Sequence, residues 1–435
     1  MKHARLPPLA LAALAAAPIA CRAAELRAAP RSAQRLERDV RTLAECGTRQ
    51  TLSDTQDERR GIGAARRWLV AEFERISHER HGGRLRVALE RHRVPAGPRV
   101  PADGCEVANV VAVLPGRDAD RYVVVSGHYD SRCSDPLDAR SDAPGADDDA
   151  SGCAVVLECA RALGGLRPRA TVVFLCVAGE EQGLLGSRAQ AEAWRAAGVT
   201  VEAFVTNDIV GGVRGSNGRL EPRRVRLFSE GRPTAGPEAV GSEADAPSRQ
   251  LARYLEQRGE AAVPGFDVDL VFRQDRYLRG GDHKSFNDLG VAAVRFTEPN
   301  ENYAWQHQDV RTAEGVRYGD LPEHLDYDFL ARVAAVNAAG LRALALAPRP
   351  PQTVWMDTSE LTPDTRLRWE DPGGVAGWRV RLRRTYAARW QETVDVGLRS
   401  EVLLEGRSKD DWLFAVEAYD AAGHTSLPVY PRPRR

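Results

Sequence analysis

Between residues 107 and 297, segments that are apolar along their whole length alternate with segments of helical period, and this pattern leaves few folds open. Residues 107–114, which include Asn109-Val110-Val111-Ala112-Val113, read as a strand, as do 121–126, 170–178, 201–209, 268–273 and 292–297. Residues 150–163, 184–197, 248–257, 282–289 and 325–346 read as helices. Ahead of them, Ile62, Ala65, Leu69, Phe73 and Ile76 recur at helical spacing, and 84–94 reads as a strand. A strand with apolar residues on both faces has no side to turn to water. The pattern therefore predicts an α/β fold with a mostly parallel central sheet and helices on both faces.

The pattern stops at Ala347-Pro348-Arg349-Pro350-Pro351. Beyond it no helical period appears. Short alternating segments at 365–369, 378–383, 401–404 and 412–418 predict a small C-terminal β-sandwich over 348–435. Trp369, the Tyr419-Asp420-Ala421-Ala422-Gly423 segment and the Pro-rich tail resemble a fibronectin type III domain. At the other end, Lys2 and Arg5 precede an apolar run over 6–20 and small residues around Cys21, the pattern of a signal peptide over 1–23. That run is too short to span a bilayer, so the protein is expected to be exported, periplasmic or extracellular, with no membrane span. Pro18-Ile19-Ala20 is a poor setting for lipoprotein anchoring at Cys21. The main body is expected to occupy 24–347.

Lys+Arg and Asp+Glu are equal at 61 each, so no basic excess exists to neutralise nucleic acid or an anionic membrane. Hydrophobic residues at 43% and charged residues at 28% exclude a disordered or collagenous chain. An oxidising compartment permits disulfides. Cys46–Cys105 is the expected bridge, while Cys153, Cys159 and Cys176 lie in apolar segments and are expected as buried thiols.

Chemistry-bearing residues gather at predicted strand ends, where open α/β sheets bind ligands. One strand ends in Gly127-His128-Tyr129-Asp130, and another in Gly179-Glu180-Glu181. A third leads into Asp208, and Gly145-Ala146-Asp147-Asp148-Asp149-Ala150-Ser151-Gly152 opens a helix. His307 follows later, in Tyr303-Ala304-Trp305-Gln306-His307. Singly each is ordinary: an Asp triplet before a helix is a cap, and Glu-Glu before Gly is a solvated loop. Together they crowd carboxylates and histidines onto one sheet edge. No Lys or Arg lies within the motifs, and the arginines are expected elsewhere. Such crowding is costly without bound cations, and two His with several carboxylates suit zinc.

In order and spacing these motifs, with Gln182-Gly183-Leu184-Leu185-Gly186-Ser187 after Glu181, resemble the co-catalytic dizinc aminopeptidase family of metallopeptidase clan MH. That family includes secreted bacterial leucyl-type aminopeptidases, related carboxypeptidases and glutaminyl cyclases. The resemblance covers about residues 103–347. It implies two Zn(2+) ions: His128 and Asp208 on one, Glu181 and His307 on the other, and Asp148 bridging both. It implies Glu180 as general base to a metal-activated water, and Asp130 as the group that fixes the His128 tautomer through its free ring nitrogen. It implies a cis peptide between Asp148 and Asp149. His283, in Asp282-His283, is expected to be structural or on the substrate side, and His324 is the competitor to His307. The family often places Tyr immediately before the last His; here Gln306 stands there, which leaves the oxyanion donor open among Gln306, Tyr303 and Trp305. Glu298 is expected either to line the pocket or to lie in a surface loop.

The function implied is a zinc exopeptidase acting on peptide substrates, foremost an aminopeptidase, because a free α-amine would meet the acidic cluster. A carboxypeptidase on the same scaffold would need a cation for the substrate carboxylate, with Arg132, Arg140 and Arg273 available. A non-catalytic binding protein would have lost a ligand, and none is missing. The C-terminal domain is expected either to bind a surface or polymer or to pack against the catalytic body.

Overall fold

The computed structural model describes residues 32–230 and 245–434. The expected signal segment and Cys21 lie outside them. The chain opens with α1 (Ser32–Ala44) and α2 (Gly61–His81), then β1 (Arg86–Val94), β2 (Cys105–Leu114) and β3 (Asp118–His128). There follow α3 (Gly152–Ala162), β4 (Ala170–Val177), α4 (Leu185–Ala196), β5 (Thr200–Asn207) and β6 (Arg224–Ser229). Then come α5 (Pro247–Ala262), β7 (Asp267–Val271), α6 (His283–Asn287), β8 (Ala293–Thr297), the hairpin β9 (Arg311–Ala313) and β10 (Val316–Tyr318), and α7 (Tyr327–Leu346).

β1 to β8 form one sheet in the order β1-β2-β4-β3-β5-β8-β6-β7. Its strands alternate between two cores, as the period of two requires. Val123 and Val125 of β3, with Val172, Phe174 and Cys176 of β4, pack under α1, α2, α3, α5 and α7. Val124, Val173, Leu175 and Val177 face the other way, onto Ala191 and Trp194 of α4 and Phe286 of α6. Helices on both faces are thus the reason these strands are apolar throughout.

The central block β4-β3-β5-β8 is parallel. The sheet as a whole is mixed, because β1–β2, β2–β4 and β6–β8 pair antiparallel. β1 has a half-exposed burial pattern, as an antiparallel edge with one wet face should. The sequence reading passed over α1, although Leu36, Val40 and Leu43 stand at helical spacing and are fully buried.

After residue 347 the chain forms β11 (Val354–Asp357), β12 (Thr365–Trp369), β13 (Gly377–Arg384), β14 (Glu392–Gly397), β15 (Glu401–Leu404), β16 (Trp412–Tyr419) and β17 (Arg432–Arg434). They make a four-stranded sheet β15-β12-β11-β17 and a three-stranded sheet β14-β13-β16. One apolar core serves both, with Leu367 and Trp369 from the first and Trp378, Val380, Phe414 and Val416 from the second. The unit is docked on the main body: Leu427 enters the main core, and Tyr254 Oη donates to the Thr425 carbonyl at 2.9 Å.

The expected Cys46–Cys105 bridge is not formed. All six described cysteines are buried free thiols. Cys46 closes the turn after α1, its Sγ 3.7 Å from the Thr42 carbonyl, whereas Cys105 opens β2 opposite Val94.

Candidate metal centre

Sheet order brings the motifs together. β4, β3 and β5 are adjacent and parallel, so their C-terminal ends lie side by side. β3 ends on His128, β4 runs into Gly179-Glu180-Glu181, and β5 ends one residue before Asp208. Asp148 arrives from the turn Ala146–Ser151 ahead of α3, and His307 from the loop between β8 and β9.

That turn must approach the strand ends closely. A Cβ on Gly152 would stand 2.2 Å from the Asn207 carbonyl oxygen, and one on Gly127 would stand 2.6 Å from the Gly152 carbonyl carbon. Only glycine at both positions allows the contact. Asp149 then ties the two segments, its Oδ2 accepting the His128 N–H at 2.9 Å and its Oδ1 the Gly152 N–H at 2.8 Å. Asp320 accepts the N–H groups of Asp147 and Asp148 at 2.8 and 2.7 Å, and the Asp148–Asp149 peptide is cis.

Two donor groups result, His128/Asp148/Asp208 and Asp148/Glu181/His307. Within each, one ligand atom per residue lies within 4.8 Å of the others. His128 Nε2 lies 3.1 Å from Asp148 Oδ1 and 3.9 Å from Asp208 Oδ1. His307 Nε2 lies 2.9 Å from Asp148 Oδ2 and 3.1 Å from Glu181 Oε1. Asp148 therefore presents one oxygen to each group.

The residues fit metal ions. His128 Nε2 and Glu181 Oε1 are buried without a hydrogen-bond partner, which is costly unless a ligand satisfies them. The electrostatics agree. Burial opposes protonation of both imidazoles, yet the carboxylates outweigh it: His128 is held well above its ordinary range, and Glu181 with Asp148 lifts His307 to about 10. The cluster draws positive charge from whatever source is present.

Glu180 belongs to neither group. Its carboxylate lines a cleft of about 380 Å³ beside Asp148, Glu181, Asp208 and His307, with no hydrogen-bond partner among the described residues. Burial raises its pKa well above the usual range, and Asp208, Glu181 and Asp282 add to that.

The model of peptidase family M28 matches residues 109–339, more than half of the chain. A probable zinc metalloprotease of Leptosphaeria maculans is 42% identical over 412 residues, 92% of this chain and 95% of the relative. The chain belongs to peptidase family M28. A second probable zinc metalloprotease, from Pyricularia oryzae, is 43% identical over 92% of this chain and 82% of its own length. These relatives are fungal, where the motifs pointed to secreted bacterial enzymes. Among solved structures, LapB of Legionella pneumophila superposes with TM-score 0.54 at 18% identity, covering 75% of each chain. An aminopeptidase from Aneurinibacillus sp. strain AM-1 gives 0.51 at 14%, over 75% of this chain and 96% of that one. A glutaminyl cyclase of Bacteroides thetaiotaomicron gives 0.51 at 15%, over 71% and 97%. At these identities the likeness is one of fold.

Several expectations change in this M28 chain. Asp130 meets the free ring nitrogen of His128 twice: Nδ1 lies 3.1 Å from its backbone carbonyl oxygen and 3.5 Å from its carboxylate Oδ1, and the same carboxylate accepts the Glu180 and Glu181 N–H groups. Gln306 is buried and bonded to Arg279 and Glu301, at 2.6 and 3.1 Å. Trp305 stacks on His324, ring centroids 4.3 Å apart, and His324 lies in neither donor group. Tyr303 is exposed. Glu298 neither lines the cleft nor lies on a surface loop: it is buried and accepts the Gly212 N–H at 2.6 Å. His283 is fully buried, its Nε2 2.8 Å from the Gln274 carbonyl oxygen.

The arginines are not elsewhere. Arg295 is buried against Asp208 at 2.8 Å and Asp275 at 3.1 Å, and Arg99, Arg132, Arg276 and Arg279 line the cleft. Of the cations weighed from sequence, Arg132 is in place. Arg273 stacks on Tyr277 instead, 3.9 Å from its ring centroid, and Arg140 is not among the cleft residues. Arg99 and Arg279 carried no motif signal, since the loops that bring them in are distant in sequence.

Proposed function

We propose that the protein is an exported zinc exopeptidase, foremost an aminopeptidase, with two Zn(2+) ions. His128 and Asp208 would hold one ion, Glu181 and His307 the other, and Asp148 both. The single observation that carries this reading is Asp148, whose two oxygens face two separate His/carboxylate groups. The names of the fungal relatives and the fold of a bacterial aminopeptidase support it. Bound there, the ions supply water activation near neutral pH and polarisation of the scissile carbonyl.

The chain's own residues do the rest. Glu180, unbonded in the cleft and with its pKa raised, takes a proton from the attacking water and delivers it to the departing amine. Asp130 holds the Glu180 backbone in place. The surrounding carboxylates attract the substrate's α-amine. Two complete donor groups favour hydrolysis over the cyclase chemistry of some fold neighbours. Export rests on the sequence of residues 1–23. The buried contacts of the C-terminal unit with α5 support its role as a packing partner, with binding to a surface or polymer as a second role.

The test is Glu180→Gln on a panel of aminoacyl-arylamides with metal analysis alongside. Retained zinc with roughly 10²–10⁴-fold lower kcat is expected. Near-normal turnover would remove Glu180 from the reaction.

A further inference from the structure

The cleft beside the donor groups has a second electrostatic character. Five arginines line it: Arg99, Arg132, Arg276, Arg279 and Arg295. Two are committed to carboxylates of the protein. Arg295 pairs with Asp208 and Asp275, and Arg276 with Asp275 and Glu301. The other three have no carboxylate partner among the described residues. Arg99 Nη1 donates to the Glu181 carbonyl at 2.7 Å. Arg132 donates to the Cys133 and Ser134 carbonyls at 3.0 and 2.8 Å.

Arg279 is the most exacting case. Its Nη2 donates to Gln306 Oε1 at 2.6 Å, while its Nη1 lies 3.1 Å from His307 Nδ1. His307 turns its Nε2 toward Asp148 and Glu181 and its Nδ1 toward Arg279. Arg279 thus spends at most two of its five N–H groups on these neighbours, neither of them a carboxylate. A guanidinium has five N–H groups in a fork that matches a carboxylate. Here that fork stands one imidazole ring away from the donor cluster, with donors to spare and no protein anion to take them.

We propose that Arg279, with Arg99 and Arg132 on the surrounding walls, forms a subsite for a substrate carboxylate lying within about one residue of the scissile bond. This inference rests on the peptidase reading and narrows its substrate class. The acidic cluster takes the substrate's amine and the arginines take an anion a residue away. Two kinds of peptide provide that anion: a dipeptide through its α-carboxylate, and a longer peptide with Asp or Glu beside the cleaved bond. A neutral substrate leaves the guanidinium unanswered, and sites built to bond a polar group discriminate against partners that lack it.

The experiment measures binding to the zinc-loaded Glu180→Gln chain, where turnover does not interfere. Calorimetry compares Ala-Ala with Ala-Ala-amide for the α-carboxylate, and Ala-Glu-amide with Ala-Gln-amide for the side chain. At least one carboxylate peptide is expected to bind tenfold or more tighter than its neutral twin. Adding R279Q should shrink that gap below threefold, and R279K should restore part of it. Equal affinities in both pairs overturn the subsite without need of any variant. A gap that survives R279Q removes Arg279 from it, and R132Q and R99Q then locate the anion. The peptidase reading fails separately: a wild-type chain that hydrolyses no peptide while keeping the gap would sink that reading and leave the subsite standing.

Discussion

The carboxylate of Asp130 holds the backbone of Glu180, Oδ1 accepting its N–H at 3.2 Å. Oδ2 accepts the Glu181 N–H at 3.1 Å and the Thr51 hydroxyl at 3.0 Å, and Asp130 itself is fully buried. One side chain thus fixes the loop that carries both the proposed base and a proposed ligand, while its own carbonyl oxygen lies against the His128 ring. D130A removes the loop anchor and the carboxylate contact to His128 Nδ1, and leaves that carbonyl in place. Activity should fall roughly 10–100-fold, as for other groups that orient a metal site from behind. Stability should fall about 1–3 kcal/mol for the stranded N–H groups. Zinc content, read by elemental analysis, should stay within one ion of wild type. Loss of both ions would show that Asp130 is needed to hold the metals and not only to position the loop.

Asp148 belongs to both donor groups, so its removal should not resemble the removal of any other ligand. D148A is expected to lose both ions. H307A, on one group alone, should keep the ion held by His128 and Asp208. The same logic predicts that chelation lowers the melting temperature as well as activity, because it leaves the carboxylates facing one another, and that zinc restores both. Equal stoichiometry in D148A and H307A would argue against a shared ligand.

Much of this site was legible in the sequence, and the reason is geometric. His128, Glu181 and Asp208 sit at the ends of adjacent parallel strands, so recognising apolar strands was enough to place them on one edge. Asp148 was legible only through the resemblance of its motif to the dizinc family, since an Asp triplet before a helix reads singly as a cap. The roles of Asp320 and Glu298 were not, because each acts by accepting backbone N–H groups far away in sequence. The arginines were missed for a related reason: a chain with so many arginines gives no signal for the few whose loops fold into the cleft. The antiparallel pairing of β1 with β2 was missed because strand direction depends on connections that residue patterning does not encode, and β6 was not read as a strand.

His283 gives the fold a pH dependence separate from catalysis. Burial dominates and pushes its pKa from 6.5 down to about 4; Arg295 works in the same direction and Asp275 against it. Between those values the unfolded chain binds a proton that the folded one refuses, so stability is complete above pH 6.5 and falls as the pH drops toward 4. At 1.36 kcal/mol per unit the loss reaches about 3 kcal/mol. In H283Q, which keeps a donor for the Gln274 carbonyl, that part of the slope should vanish. Urea unfolding of both chains at pH 7, 5.5 and 4 measures it: the stability difference between them should shift by about that amount across the range, and a constant difference would refute the assignment.

Asp245 ties the C-terminal unit to the catalytic body. It is buried between Arg253 of α5, 2.7 Å away, and Arg383 of β13, 3.1 Å away. Its Oδ1 also accepts from Gln250 at 2.6 Å. Removing one partner from a buried charge network costs more than the network contributed, because the remaining charges keep their desolvation penalty. D245A leaves two buried guanidiniums facing each other across the seam, and should destabilise the protein by about 3–5 kcal/mol. D245N keeps the hydrogen-bond acceptor without the charge and should cost less. If the two units unfold together, calorimetry should show one transition moving down in D245A. If the seam only holds two independent units in place, the transition should split, with the C-terminal strands melting at their original temperature. Either outcome with zinc content unchanged would locate the effect at the seam and not at the metal centre.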